Sequence, residues 1–237
     1  FRRVLFRSWV MMILGIVVTA GLAGHFLDPY SPGRLLLVSS VIGMTAICMT
    51  TIAVRGVEVV STAPAEAEPA QAGFRVALAE VWNEPLARRF AIFVFISMLA
   101  YSSQDLILEP FAGTVFGLTP GESTKLAGLQ HAGVLIGMVL VAVAVTGLRL
   151  GSIRVWTTGG CIASALSLAG LAFGGVVGPE WPLRANAFLL GLTNGAYAVA
   201  AIGSMMGLVG AGRDRREGVR MGLWGAAQAI AFGLRSE

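Results

Sequence analysis

Apolar runs of spanning length alternate with short polar breaks along almost the whole chain. A membrane-spanning helix needs about 20 predominantly apolar residues. Seven segments meet or approach that length: Trp9–Phe26, Leu35–Val54, Phe90–Ile107, Pro120–Thr146, Val155–Val177, Leu183–Val209 and a shorter one, Val219–Leu234. The ten-residue alternation of apolar and polar positions that marks a membrane barrel is absent. The pattern therefore predicts an all-α polytopic membrane protein with about seven transmembrane helices. One start is well specified: Thr119-Pro120-Gly121-Glu122 offers a cap residue, a proline at the first helical position and a glutamate three after the cap. Glu122 and Lys125, three apart on that turn, are near enough to pair, although capping alone accounts for Glu122. Pro110 is expected to end or kink the helix before it. Gly133/Gly137, Gly170/Gly174, Gly191/Gly195 and Gly203/Gly207 sit four apart, a spacing that lets helices approach closely in lipid.

The breaks assign sidedness. The loops after the second, fourth and sixth segments hold Arg55, Arg75, Arg88, Arg89, Arg149, Arg154, Arg213, Arg215, Arg216 and Arg220, whereas the opposite loops hold only Arg34, Lys125 and Arg184. The basic side is expected to be cytoplasmic. The longest connection, 55–88, begins as a Pro/Ala/Glu linker, Ser61 to Ala70, with no apolar period. It continues with Phe74, Leu78, Val81 and Trp82 at helical spacing, which predicts a short amphipathic helix on the membrane surface, as an interfacial anchor or a partner-docking element.

Composition agrees. The chain is 56% hydrophobic and 13% charged, with a mean hydropathy of +0.77, too apolar to cover a soluble surface. The net charge of +4 comes from arginines spread over loops, with no basic run interleaved with aromatics, so no nucleic-acid partner is expected. Cys48 and Cys161 lie within apolar runs and read as small buried packing residues, with no disulfide and no metal site expected. The first residues resemble the basic flank of a signal anchor. A second reading fits better: Arg2 to Ser8 match the translation of a common short-read sequencing adapter (AGA CGT GTG CTC TTC CGA TCT), and Arg235-Ser236-Glu237 the start of one in the opposite sense. Residues 1–8 and 235–237 are then adapter-derived, and 9–234 belong to a longer parent.

Few residues are placed for chemistry. Asp105 and Glu109, four apart, share a helix face at or near the membrane edge. They serve as a proton-coupling pair, as a polar contact for a cargo head group, or simply as charges at an aqueous helix end; Gln104 extends the patch. Ionisable groups in or beside hydrocarbon raise a functional question by default. His131, about three turns into its helix beside Gln130, suits three roles: axial ligand of a pigment's magnesium, proton relay, or internal hydrogen-bonding group. His25, beside Asp28, reads as a loop residue. Asn194, Tyr197 and Gln228 line a cavity or bond between helices. No nucleotide-binding loop, metalloprotease motif or nucleophile elbow appears, so no enzyme activity is expected.

Several runs resemble a known family. They are Glu80-Val81-Trp82-Asn83-Glu84-Pro85, Gln104-Asp105-Leu106-Ile107-Leu108-Glu109-Pro110-Phe111-Ala112-Gly113, Thr119-Pro120-Gly121-Glu122-Ser123-Thr124 and Leu129-Gln130-His131. Together they resemble the PucC/LhaA group, the bacteriochlorophyll-delivery branch of the major facilitator superfamily in phototrophic bacteria. Leu27-Asp28-Pro29, Ser31-Pro32 and Met221 to Gln228 fit as well. The resemblance implies a partial major-facilitator-type bundle containing family helices five to eleven. Residues 9–54 would be the last two helices of the N-terminal half, 55–88 the cytoplasmic central linker, and 89–234 a truncated C-terminal half. It implies a multi-pass protein of the bacterial inner, intracytoplasmic photosynthetic membrane. Its role would be assembly of light-harvesting antenna complexes, by assisting bacteriochlorophyll delivery or antenna polypeptide insertion. Antenna polypeptides and pigment-synthesis proteins would be partners in the lipid bilayer, with bacteriochlorophyll as cargo and no permanently bound cofactor. His131 would then be a transient magnesium ligand, with Gln104, Asp105 and Glu109 meeting polar groups at the membrane edge. The rival on the same fold is a major-facilitator secondary transporter of a small solute, proton-coupled through Asp105 or Glu109. Against it, the segments Pro120–Thr146, Val155–Val177 and Leu183–Val209 carry no acidic residue in their apolar interiors. A passive structural subunit is the third reading.

Overall fold

The computed structural model describes residues 2–55, 79, 82–210, 222, 223, 225, 226, 229, 230 and 233. Six long helices account for most of them: α1 Arg2–Phe26, α2 Pro32–Val54, α3 Pro85–Phe116, α4 Pro120–Ala142, α5 Ile153–Val177 and α6 Leu183–Gly210. No strand occurs among the described residues. Five candidate spans, Trp9–Phe26, Pro32–Val54, Ala87–Phe116, Pro120–Gly147 and Ile153–Val177, are long and apolar enough to cross a membrane. The protein is an all-α polytopic membrane protein. The linker 61–70, most of the predicted surface helix (Phe74, Leu78 and Val81 among it) and Gln228 lie outside the described residues, as does most of the seventh predicted segment.

Helix starts follow local chemistry. Ser31 caps α2, accepting from the Arg34 N–H at 3.2 Å with Pro32 in the first turn. The capping box of α4 is complete: Thr119 Oγ1 accepts from the Glu122 N–H at 3.2 Å, and Glu122 Oε2 accepts from the Thr119 N–H at 3.0 Å. Ser152 caps α5 through the Val155 N–H at 3.4 Å. Helix α4 does not stop cleanly. Its last turn widens into a π turn, Val143–Gly147, and the chain leaves through Arg149 in the left-handed region at φ 53°.

Two expectations about the helices are corrected. Cys48 and Cys161, read as buried packing residues, are both exposed on their helices. Pro110 does not end its helix: α3 continues to Phe116 with the proline inside it. Proline removes one backbone donor, but the following turn packs Leu108 and Ala112 against Leu126, Leu171, Leu183, Ala187 and Leu190, which holds the backbone helical.

Contacts divide the chain into two units. One comprises Phe1–Tyr30 and Tyr101–Ala211, the other Ser31–Ala100 and Gly212–Glu237. In the second, α2 has no buried residue, and Leu36, Met44, Ile47 and Ile52 are exposed, as expected of a helix solvated by hydrocarbon. In the first, α4 packs on α1 and on α6, and α6 also packs on α5. The α4–α6 contact is a mutual glycine interlock. A Cβ on Gly191 or Gly195 would meet the carbonyl oxygens of Gln130 or Val134, and one on Gly133 or Gly137 those of Phe188 or Leu192. Two of the glycine pairs seen in the sequence are thus each other's partners.

Candidate functional site

The site is assembled from three helix stripes of the first unit. On α3 the stripe reads Ala112, Leu108, Gln104; on α4, Leu126, Gln130; on α6, Leu183, Ala187, Leu190, Asn194. The apolar members form one buried cluster. The next position inward on each helix is a carboxamide. Val134 and Met138, the following turns of α4, join a second apolar cluster with Ile13. A polar layer therefore lies between two dry ones.

Its depth follows from helix rise. Gln130 lies ten residues into α4, ~15 Å along; Asn194 lies eleven into α6, ~16 Å; Gln104 lies twelve before the end of α3, ~18 Å. With a hydrocarbon core of about 30 Å, all three sit near its middle.

The layer is partly bonded. Asn194 Nδ2 donates to Gln104 Oε1 at 3.2 Å, and both residues are buried. Gln130 is 1% exposed. Gln104 Nε2 and Gln130 Nε2 are buried without a hydrogen-bond partner among the described residues.

The expected edge patch is divided. Gln104 turns inward to Asn194. Asp105 is half-buried, with Oδ1 shielded from solvent, and Glu109 is exposed. Because α3 runs on to Phe116, Asp105 lies ~16 Å from its end and Glu109 ~10 Å. Asp105 is thus a mid-span carboxylate rather than an edge one, which corrects the placement read from the end of the apolar run at Ile107.

His131 is half-buried, level with this layer, eleven residues into α4. Its Nδ1 lies 2.9 Å from the Ala127 carbonyl oxygen. A carbonyl only accepts, so Nδ1 carries a proton; in the tautomer this selects for a neutral ring, Nε2 holds a lone pair. The internal hydrogen bond and a ligand role are therefore compatible. One imidazole suffices as axial ligand to a magnesium already held by a macrocycle. Among the described residues, no group of three or more His, Cys, Asp or Glu is placed to hold a bare metal ion.

A second polar cluster, missed in the sequence, closes the end of the unit where α4 begins. Lys125 pairs with Asp28 at 2.7 Å rather than with Glu122, whose carboxylate is committed to the capping box. Thr119 Oγ1 also donates to Asp28, at 2.9 Å. The Lys125 hydrogen bond first, then that from Thr119, holds the Asp28 carboxyl below its ordinary range. Gly121 leaves room for this carboxylate, and Gly24 packs against Gly121 and Lys125. The available signal was sidedness, since the charge pattern already put Asp28 and Lys125 in loops of one side.

Between α5 and α6 lies a cleft of about 430 Å³, walled by Leu166, Trp181 and Leu189 over Ser167, Asn186 and Thr193. Its polar floor is internally satisfied. Asn186, with its amide set to suit both atoms, donates to the Ser167 carbonyl at 3.1 Å and accepts from Trp181 Nε1 at 3.1 Å. Ser164 donates to Thr193 at 3.1 Å.

Comparison with known proteins adds identity. The family described as PUCC protein matches residues 3–236. The chain is 51% identical to the bacteriochlorophyll synthase 44.5 kDa chain of Rhodobacter capsulatus over 227 residues, covering 96% of this chain and 53% of that protein. It is 30% identical to an uncharacterized protein in the puhA-bchM intergenic region of the same organism, over 95% of this chain and 46% of the other. It is 29% identical to the protein PucC of that organism, over 95% and 49% respectively. The chain spans about half the length of the curated relatives it matches. No solved structure matches it.

Proposed function

The chain belongs to the PucC family, and from that premise we propose that the full-length protein assists assembly of bacterial light-harvesting antenna complexes. The carrying observation is the family match over residues 3–236. In this reading the protein is not an enzyme. It works in the photosynthetic inner membrane on a major-facilitator-type bundle, beside antenna polypeptides and pigment-synthesis proteins. Its cargo is bacteriochlorophyll, delivered during assembly rather than kept as a cofactor.

At residue level the reading is supported by His131. Its proton is directed to Ala127, leaving Nε2 as a neutral donor to the pigment's magnesium. A single, half-buried ligand suits transient holding. Deletion of the parent gene, followed by absorption spectra of the membranes, tests the role: loss of antenna bands with reaction-centre bands retained is expected. An unchanged spectrum would sink it. His131→Leu in the full-length protein is expected to lower both pigment co-purification and antenna yield, and wild-type levels of both would remove His131 from the account.

One observation favours the second reading, a proton-coupled secondary transporter. Asp105 sits ~16 Å inside its helix, where a carboxylate is costly and commonly functional. If it couples protons, Asp105→Asn abolishes solute-driven proton uptake in proteoliposomes while antenna assembly persists; under the assembly reading no such uptake exists in the parent.

A further inference from the structure

The turn between α4 and α5 carries two arginines in matching settings. Arg149 lies between Leu148 and Leu150, Arg154 lies between Ile153 and Val155, and all six residues are exposed. Among the described residues neither guanidinium has an ion-pair partner. The chain has no Asp or Glu between Glu122 and Glu180. Two cations are thus set among exposed aliphatic side chains, with no acid in the turn to answer them.

The turn is tied into one shape. The Leu148 N–H donates to the Val143 carbonyl at 3.0 Å and the Leu150 N–H to the Ala144 carbonyl at 2.8 Å, closing the π turn. Trp156 Nε1 donates to the Leu150 carbonyl at 2.8 Å, and Ser152 caps α5. Arg149 holds the left-handed conformation at φ 53°, where glycine is easier. An arginine under backbone strain at that place points to a use for its side chain.

Position selects the partner. Only residues 148–152 separate the candidate spans Pro120–Gly147 and Ile153–Val177, so the turn lies at one boundary of the membrane. The nearest anion there is the phosphate of a phospholipid. A planar guanidinium meets phosphate oxygens with paired N–H donors. Leu148, Leu150, Ile153 and Val155 suit the acyl boundary just below the phosphates. An acidic protein or a nucleic acid would answer the charges and leave these aliphatic side chains in water. Two cations with no acid beside them also favour a lipid of net negative charge over a zwitterionic one, whose ammonium they repel.

We propose that Arg149 and Arg154 form a binding site for the phosphate headgroup of an anionic phospholipid such as phosphatidylglycerol. The site is independent of which cargo the protein handles.

The test uses full-length protein in neutral detergent micelles, titrated with phosphatidylglycerol, with phosphatidylcholine at the same mole fraction as reference. Binding is read as a rise in melting temperature. The parent is expected to melt higher with phosphatidylglycerol than with phosphatidylcholine. In the double variant Arg149→Gln, Arg154→Gln the apparent affinity for phosphatidylglycerol falls about thirtyfold, roughly fivefold for each guanidinium. Its melting in phosphatidylcholine stays at the parent's value. Arg149→Lys with Arg154→Lys keeps both charges and recovers most of the affinity. Arg184→Gln, which removes an exposed arginine at the start of α6, leaves the response intact. Equal responses in the parent and the double glutamine variant overturn the inference. An equal loss in Arg184→Gln does so too, since the response is then one of net charge. A double glutamine variant that melts lower by the same amount in both lipids assigns the arginines to the fold and overturns it. So does a matching rise with inorganic phosphate, which would need no lipid, or a rise with soluble polyglutamate and none with phosphatidylglycerol, which would make the partner an acidic protein.

Discussion

Substituting Gly191 by alanine tests the α4–α6 interlock. The new Cβ would fall on the Gln130 carbonyl oxygen, with the carbonyl carbon at 2.8 Å and the Val134 nitrogen at 3.1 Å. Ordinary contact begins near 3.4 Å. Every obstructing atom is backbone, so no side chain can swing aside, and the two helices must part by about 1 Å. A gap of that size forfeits a quarter to a half of each facing dispersion contact. Overpacking of this kind costs about 1–3 kcal/mol, and the upper part applies because Gly133, Gly137 and Gly195 lose their close approach together. The matched control is Gly159→Ala on α5, whose Cβ would meet nothing within 4 Å. Helix propensity there predicts a gain of about 0.5–1 kcal/mol. Denaturant or thermal unfolding of full-length protein in detergent measures both. Gly191→Ala is expected to be destabilised by about 2 kcal/mol net. The double substitution Gly137→Ala, Gly191→Ala should cost less than the sum, because the first has already separated the helices. Equal stability of Gly191→Ala and Gly159→Ala would refute the reasoning.

Further outcomes follow from the same geometry. Asp28 has a carboxyl held below the ordinary 3.8, so its contribution is present above that value and is lost as pH falls through the lowered one. The melting difference between parent and Asp28→Asn should therefore be constant near neutrality and shrink below about pH 4; a difference that grows on acidification contradicts the sign. Thr119→Ala removes both the α4 cap and a hydrogen bond to Asp28, and should lower stability by about 1 kcal/mol in the same unfolding assay, with Thr119→Ser largely restoring it. Arg149→Gly relieves a left-handed non-glycine residue at φ 53° and should raise stability by about 0.5–1 kcal/mol; a loss would show that the Arg149 side chain has its own anchoring role.

Much of the architecture was legible because it depends on local terms. Hydropathy over one span found all six helices, but missed the start of α1 by seven residues and the end of α3 by nine, whereas Thr119 with Glu122 specified the start of α4 through bonds closed inside one turn. Four-residue glycine spacing announced close packing. Pro110 misled because its effect is conditional. The lost donor is local, but the apolar contacts that keep α3 helical beyond it come from α4, α5 and α6. Asp105 read as an edge charge because the apolar run ends at Ile107, whereas the helix itself continues to Phe116. Of the two readings left open for Glu122, capping holds: it is already bonded, and Asp28, far away along the chain, takes the Lys125 ammonium.

The sequence by itself determined an all-helical membrane protein, its sidedness expectation, its caps and its family, since each rests on runs of neighbouring residues. Only the tertiary structure decided partners. It matched Gly133 and Gly137 to Gly191 and Gly195, joined Gln104 to Asn194 across the bundle, and left Gln130 with an unanswered amide at mid-span. The physical reason is range. A hydrogen bond or a glycine contact within a helix is set by spacing along the chain, whereas one between helices depends on rotation and register that no local pattern encodes.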